Sequence, residues 1–182
     1  AGAVSTNTAV GASALRVNTT GAYNTGLGYY SLYTNITGSK NTALGYAALL
    51  SNTGGSNTAV GNEAMYLTSS GQYNVAIGDS ALHENTTASN NTAVGYQAGY
   101  SNTTGIITAV GYQAGYGNTT ANYNAFFGRF AGYTNTGTNN TFIGDSAAYN
   151  NTTGAYNTAV GFQSLNYNTT ADGNTAVGYQ SA

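Results

Sequence analysis

The sequence predicts an all-β fold: a single-domain parallel β-solenoid (a β-roll or β-helix) of about eleven rungs of 16–17 residues. Three observations predict it. A line opening on Asn-Thr-Ala-Val-Gly, or a close variant, returns every 16 or 17 residues along a chain of 182. Every copy carries an interior glycine, and Thr and Asn dominate without any 3.6-residue apolar stripe, so helices are disfavoured. A unit this short cannot form a helix pair or a propeller blade, but it fits one coil. A stack of coils then buries a face that one coil alone cannot.

Ten full copies start at Asn7, Asn24, Asn41, Asn57, Asn74, Asn91, Ile107, Asn124, Asn140 and Asn157. Partial repeats occupy residues 1–6 and 174–182, and no composition break divides the chain, so one domain spans 1–182. The consensus is N-T-A-V-G-Y-Q-A-L-Y-x-N-T-T-G-x-(Y/N). Copies starting at Asn41, Asn91 and Asn124 have 16 residues; the missing one falls in the N-T-T-G-x-x stretch, which marks that stretch as the loop. Stacked at about 4.8 Å per rung, eleven rungs make a rod of about 50 Å.

Each column of the repeat has a physical reading. The fourth is always apolar: Val10, Leu27, Leu44, Val60, Ile77, Val94, Val110, Phe127, Ile143, Val160 and Val177. It is expected to form the core ladder. The fifth is always Gly, which implies positive φ or a tight backbone approach at a corner. The eighth is always Ala or Ser, so the interior is narrow there. The ninth is Leu or Met in about half the copies, but Gly at Gly99, Gly115 and Gly132. The first is Asn in all copies but the one opening on Ile107, which suits a turn and a stacked amide ladder.

Composition narrows the function. Charged residues make up 4% of the chain, against about 25% in ordinary globular proteins. Three basic residues cannot make a phosphate-binding patch, so nucleic acid and anionic lipid are not expected as partners. Aromatic and β-branched residues are too abundant for a disordered chain. No apolar run reaches the roughly 20 residues a membrane helix needs, so no membrane insertion is expected. Cysteine is absent, which removes disulfides and thiolate metal sites. Proline is absent too, as suits a chain whose N–H groups nearly all sit in ladders.

The line N-T-A-V-G-Y-Q-A at Asn91–Ala98, with variants at Asn7–Ala14, Asn57–Ala64 and Asn174–Ser181, resembles the head repeats of trimeric autotransporter adhesins of the YadA type. It is similar, too, to repeats of some phage tail fibres. Val94, Gly95 and Ala98 match the Ile, Gly and Ala/Ser positions of the family's N-S-V-A-I-G-x-x-A/S unit. The resemblance implies a left-handed parallel β-roll, three chains side by side, and surface adhesion. These 182 residues depart from the family in their longer unit, which carries the added N-T-T-G loop, and contain no stalk, coiled-coil or membrane-anchor sequence.

Chemistry has little to work with. An active site needs convergent titratable groups. His83, the sole histidine, adjoins Glu84 and stands in the tenth column, where Tyr is usual; it is expected to be a surface replacement of Tyr. Asp79 and Asp145 share the sixth column four rungs apart, about 19 Å at the strand spacing, too far for paired acid–base work. The glycines of Gly21–Gly28 lack the βαβ context of a dinucleotide site. No catalytic, cofactor or metal residue is expected, and the chain is expected not to be an enzyme.

The tyrosines form rows. Tyr29, Tyr46, Tyr96 and Tyr112 stand in the sixth column, and Tyr100, Tyr116, Tyr133 and Tyr149 in the tenth. They are candidates for a lateral interface, for stacking that stiffens one rod, or for contact with glycans. Asn18, Asn35, Asn85, Asn102, Asn118, Asn151 and Asn168 each open an N-x-T sequon and are candidate glycosylation sites, the alternative being a turn satisfied by its own side chains. Regular Thr rows raise ice binding as a further alternative, weakened by a loop of variable length.

The chain begins at Ala1 rather than Met, as expected of a processed or excised piece. Its ends carry repeat-like sequence where a solenoid cap is expected. The expectation is therefore a non-enzymatic structural protein, extracellular, on a cell surface or in a virion fibre, whose copies stack head to tail into a filament. The alternatives are a side-by-side homotrimer, as the head of a trimeric adhesin or phage fibre binding a surface ligand, and an ice-binding solenoid.

Overall fold

The computed structural model describes residues 6–181. Ala1–Ser5, most of the first partial repeat, and Ala182 lie outside them. Eleven short strands follow one another: β1 Thr8–Val10, β2 Thr25–Leu27, β3 Thr42–Leu44, β4 Thr58–Val60, β5 Val75–Ile77, β6 Thr92–Val94, β7 Ile107–Val110, β8 Asn124–Phe127, β9 Thr141–Ile143, β10 Thr158–Val160 and β11 Thr175–Val177. They form one parallel sheet in chain order, so each rung pairs with the next and the chain is a β-solenoid.

Register is column on column. Thr42, Ala43 and Leu44 sit over Thr25, Gly26 and Leu27, and Thr58, Ala59 and Val60 sit over them in turn. The 16-residue copies keep this register, because the deletion is absorbed in the loop: Asn52 reaches the Gly54 carbonyl where Asn35 reaches that of Gly38, one residue further along.

The turns are hydrogen-bonded between rungs as regularly as the strands. The fifth-column N–H donates back to the fourth-column carbonyl, as in Gly45 to Leu27 (2.9 Å), and the ninth donates forward, as in Leu49 to the Ala64 carbonyl (3.0 Å). Gly45 shows why its column admits no side chain. Its φ is +136°, and a Cβ there would lie 2.7 Å from the Gly61 carbonyl carbon of the next rung.

The core is built by the third, eighth and ninth columns. Ala43, Ala59, Ala76, Ala93, Ala109, Phe126, Phe142 and Ala159 are fully buried from the third; Leu32, Leu49, Met65 and Leu82 are fully buried from the ninth. Leu49 holds φ at +51° to aim inward. Left-handed backbone costs roughly 1–2 kcal/mol for an L-residue, and burying a leucine returns roughly 1.5–3 kcal/mol, so inward aim wins.

The fourth column corrects the sequence expectation. Val10, Leu27, Leu44, Ile77, Phe127, Ile143 and Val177 are exposed, and Val60, Val94, Val110 and Val160 are half-exposed. None of them enters the core cluster. The reason is alternation. In a three-residue strand the middle side chain points one way and both neighbours the other. The interior already holds the ninth-column side chain and two asparagines, so it admits the alanine and not the valine.

Candidate interaction faces

Two buried asparagine ladders line the interior beside the apolar core. In the first-column ladder the side-chain Oδ1 accepts the first-column backbone N–H of the next rung, as Asn41 does from Asn57 (2.9 Å) and Asn57 from Asn74 (3.0 Å), with a break where Ile107 replaces asparagine. Its Nδ2 donates across the coil to the fifteenth-column carbonyl, as Asn57 does to Gly71 (2.8 Å). The twelfth-column asparagines donate to the same carbonyls and to one another, as Asn52 does to Gly54 (2.9 Å) and to Asn35 Oδ1 (3.0 Å). A buried amide so bonded is satisfied from both ends; Asn91 is an exception, its Oδ1 accepting the Ile107 N–H at 2.6 Å while its Nδ2 has no partner.

This geometry overturns the glycosylation candidates. Asn18, Asn35, Asn85, Asn102, Asn118 and Asn151 are buried, and Asn168 is half-buried. All seven donate Nδ2 to the fifteenth-column carbonyl of their own loop. The nitrogen a glycan would occupy points inward and is engaged, so the sequon reads as a structural turn.

The tenth column is a continuous aromatic stack. Tyr66, His83, Tyr100, Tyr116, Tyr133 and Tyr149 follow ring over ring at centroid spacings of 5.1, 4.9, 5.2, 5.2 and 5.0 Å. His83 is thus a ring of the stack, tilted 7° from Tyr66 and from Tyr100, with Nε2 3.6 Å from Glu63 Oε2. Burial, then the Glu84 charge, pushes the Tyr100 hydroxyl pKa up; burial, then neighbouring tyrosines, does so for Tyr133.

The sixth column is more open. Tyr29, Tyr46, Tyr96 and Tyr112 are exposed, and stack in pairs, Tyr29 on Tyr46 at 5.8 Å and Tyr96 on Tyr112 at 5.2 Å. A hydrogen bond with Tyr30 raises the Tyr29 pKa. Beyond the second pair the column changes to charge: Arg129 Nε donates to Asp145 Oδ2 at 2.8 Å. The Arg129 guanidinium holds the Asp145 carboxyl below the usual carboxylate range, helped by the Ser146 hydroxyl and opposed by partial burial. Asp79 instead accepts from Ser80 Oγ at 2.7 Å and Asn62 Nδ2 at 3.3 Å.

The remaining face is the outer surface of the sheet itself. It carries two parallel rows: the second column, mostly Thr, and the fourth, wholly aliphatic except Phe127. No charged residue stands in either row. Sequence reasoning missed this face, although the small third column, Ala in eight of the eleven strands, carried the signal.

Among the described residues no cluster of three or more His, Asp or Glu could hold a metal ion, and no helix is long and apolar enough to cross a membrane. No protein-family model, curated protein or solved structure matches the chain.

Proposed function

We propose that this chain is a non-enzymatic structural protein, a stiff solenoid rod whose copies join end to end into an extracellular fibre or surface filament. The observation that carries the reading is the sameness of the rungs. Every interface from β1 to β11 is parallel, in register and bonded on the strand and turn sides alike. The first and last strands, β1 and β11, both read Thr-Ala-Val, the same line that pairs rung on rung inside the rod. Placing Thr175 of one copy beneath Thr8 of the next repeats an internal interface without new chemistry. A head-to-tail contact that does not close makes a fibre.

The extracellular placement draws on the resemblance to adhesin heads. That resemblance also supports a second reading, a side-by-side trimeric head or phage fibre, with the exposed sixth-column tyrosines offering surface for a glycan ligand. Negative-stain microscopy of the purified chain tests the first reading. Filaments many times longer than the roughly 50 Å of one eleven-rung rod are expected. Isolated rods of that length overturn it, and a discrete trimer in analytical ultracentrifugation supports the second.

A further inference from the structure

The outer face of the sheet is uncharged, regular in register and unclaimed by the fold. Its fourth-column row puts Leu27, Leu44, Ile77, Phe127 and Ile143 40–43% in solvent. The formal charges of the chain all lie outside both rows of this face. At about 4.8 Å per rung and 3.3 Å per residue, eleven three-residue strands present about 500 Å². Two such faces together bury about 1,000 Å², the lower limit for a specific interface. A partner must match an aliphatic row that repeats with the rung spacing, and a second copy of this chain does so by construction.

One rung fixes the orientation. In β8 the second column holds Ala125, the smallest residue of its row, and the fourth holds Phe127, the largest of its row. Ala125 is half-buried and Phe127 is 40% exposed. Consider two rods side by side, pointing the same way, related by a twofold axis parallel to their length. Rung then lies on rung, strand direction reverses, and the second column of each copy faces the fourth column of the other. Phe127 of one copy falls over Ala125 of its partner, and the reverse contact forms at the same rung.

We infer that the Thr/aliphatic face pairs two copies of the chain in parallel, rung on rung, with Phe127 of each seated over Ala125 of the other. Sheets packed face to face in this way sit about 10 Å apart. The contact adds a lateral bond to the end-to-end fibre proposed above and rests on that reading only in taking the chain as a self-associating rod. Threonine methyls facing aliphatic side chains complete the two rows without a buried charge.

The test combines sedimentation velocity with negative-stain microscopy on the intact chain and three variants. The unaltered chain is expected to show a paired width, two rods across. Val94→Asp puts charge on a half-exposed position, so the circular dichroism of the fold is retained and the pair is lost. Ala125→Phe is expected to weaken pairing about tenfold or more by overfilling the recess. Adding Phe127→Ala to it exchanges knob and recess and restores pairing. Single-rod width at all concentrations, a discrete trimer, or pairing indifferent to Ala125→Phe with the fold intact overturns the inference. So does thermal hysteresis from a monomer, which identifies ice as the occupant of the face. Filaments one rod wide overturn lateral pairing and leave the end-to-end reading standing; short paired rods do the reverse.

Discussion

Gly115 and Phe126 occupy one volume. A Cβ placed on Gly115 would lie 2.8 Å from Phe126 Cε2 and closer still to Cδ2. The same ring blocks Gly132, and Phe142 crowds it from the other side at 3.0 Å. Where the ninth column supplies Leu or Met, the third-column residue of the next rung is Ala or Gly; where it shrinks to Gly, a larger residue enters from the next rung. Ile107 does this for Gly99, with its Cδ1 2.7 Å from the position of the missing Cβ. The rod therefore keeps a constant cross-section by trading size between columns.

This trade predicts a coupling. Gly115→Leu alone overpacks the rung and is expected to destabilise by roughly 1–3 kcal/mol or more. Phe126→Ala alone leaves a cavity and is expected to lose roughly 3–5 kcal/mol. The double variant restores the Leu/Ala pairing of the earlier rungs, so its loss falls short of the sum by about 1–3 kcal/mol. Chemical denaturation of the four proteins measures the cycle, and simple additivity would show that the two sites do not share space.

The asparagine ladders predict a large penalty for a small truncation. Asn57 Oδ1 accepts the Asn74 N–H at 3.0 Å, and Asn57 Nδ2 donates to the Gly71 carbonyl at 2.8 Å. Asn57→Ala strands both backbone groups in a dry interior. Each unsatisfied group costs roughly 1–3 kcal/mol, so a loss of about 2–6 kcal/mol is expected by denaturant titration. A loss below about 1 kcal/mol would mean that water or the loop re-satisfies the pair.

Thr68 predicts a gain. It stands where the other copies carry the twelfth-column asparagine, is fully buried, and its Oγ1 has no partner. Thr68→Asn supplies an Nδ2 for the Gly71 carbonyl and an Oδ1 facing Asn85. A net gain of about 1 kcal/mol follows from one or two added hydrogen bonds, raising the melting temperature by about 2–4 °C in a chain of this size. An unchanged or lowered melting temperature would show that the ladder has adapted to threonine here.

The solenoid, its rung length, its register and the glycine corners were legible in the sequence because each leaves a periodic trace. The direction of the valines was not. Hydrophobicity argues for burial of any aliphatic residue, and nothing in the fourth column itself says that the interior is full. The answer lay in the third column, whose restriction to small residues marks the crowded side, and in Phe126 and Phe142, which break that restriction where Gly115 and Gly132 make room. The sequons misled for a related reason: a motif read by an enzyme on an extended chain also fits a turn whose asparagine points inward, as Asn35 and Asn85 do. His83 was expected from its column to replace a surface Tyr; it does take the place of one, between Tyr66 and Tyr100, but its side chain is only 16% exposed because the neighbouring rings cover it.

The aromatic stack predicts an alkaline limit to stability. Burial raises the Tyr100 and Tyr133 pKa values above the ordinary tyrosine value near 10. The folded state therefore favours the protonated phenol more than the unfolded state does. That contribution is fully present below pH 10 and is lost as pH rises through the raised values, because the unfolded chain ionises first. At the acid end the one lowered carboxyl, Asp145, gives the opposite sign: its contribution is present above pH 4 and fades below it. Its pair with Arg129 is mostly exposed, and exposed pairs contribute little. Melting temperature is thus expected to be nearly flat from about pH 5 to 9, to fall slightly in acid, and to fall steeply above about pH 10. Replacing Tyr100 and Tyr133 with Phe removes the ionisable hydroxyls while keeping the stacked rings, and is expected to move the alkaline fall to higher pH. An alkaline transition unmoved by that double replacement would place the titrating groups elsewhere in the rod.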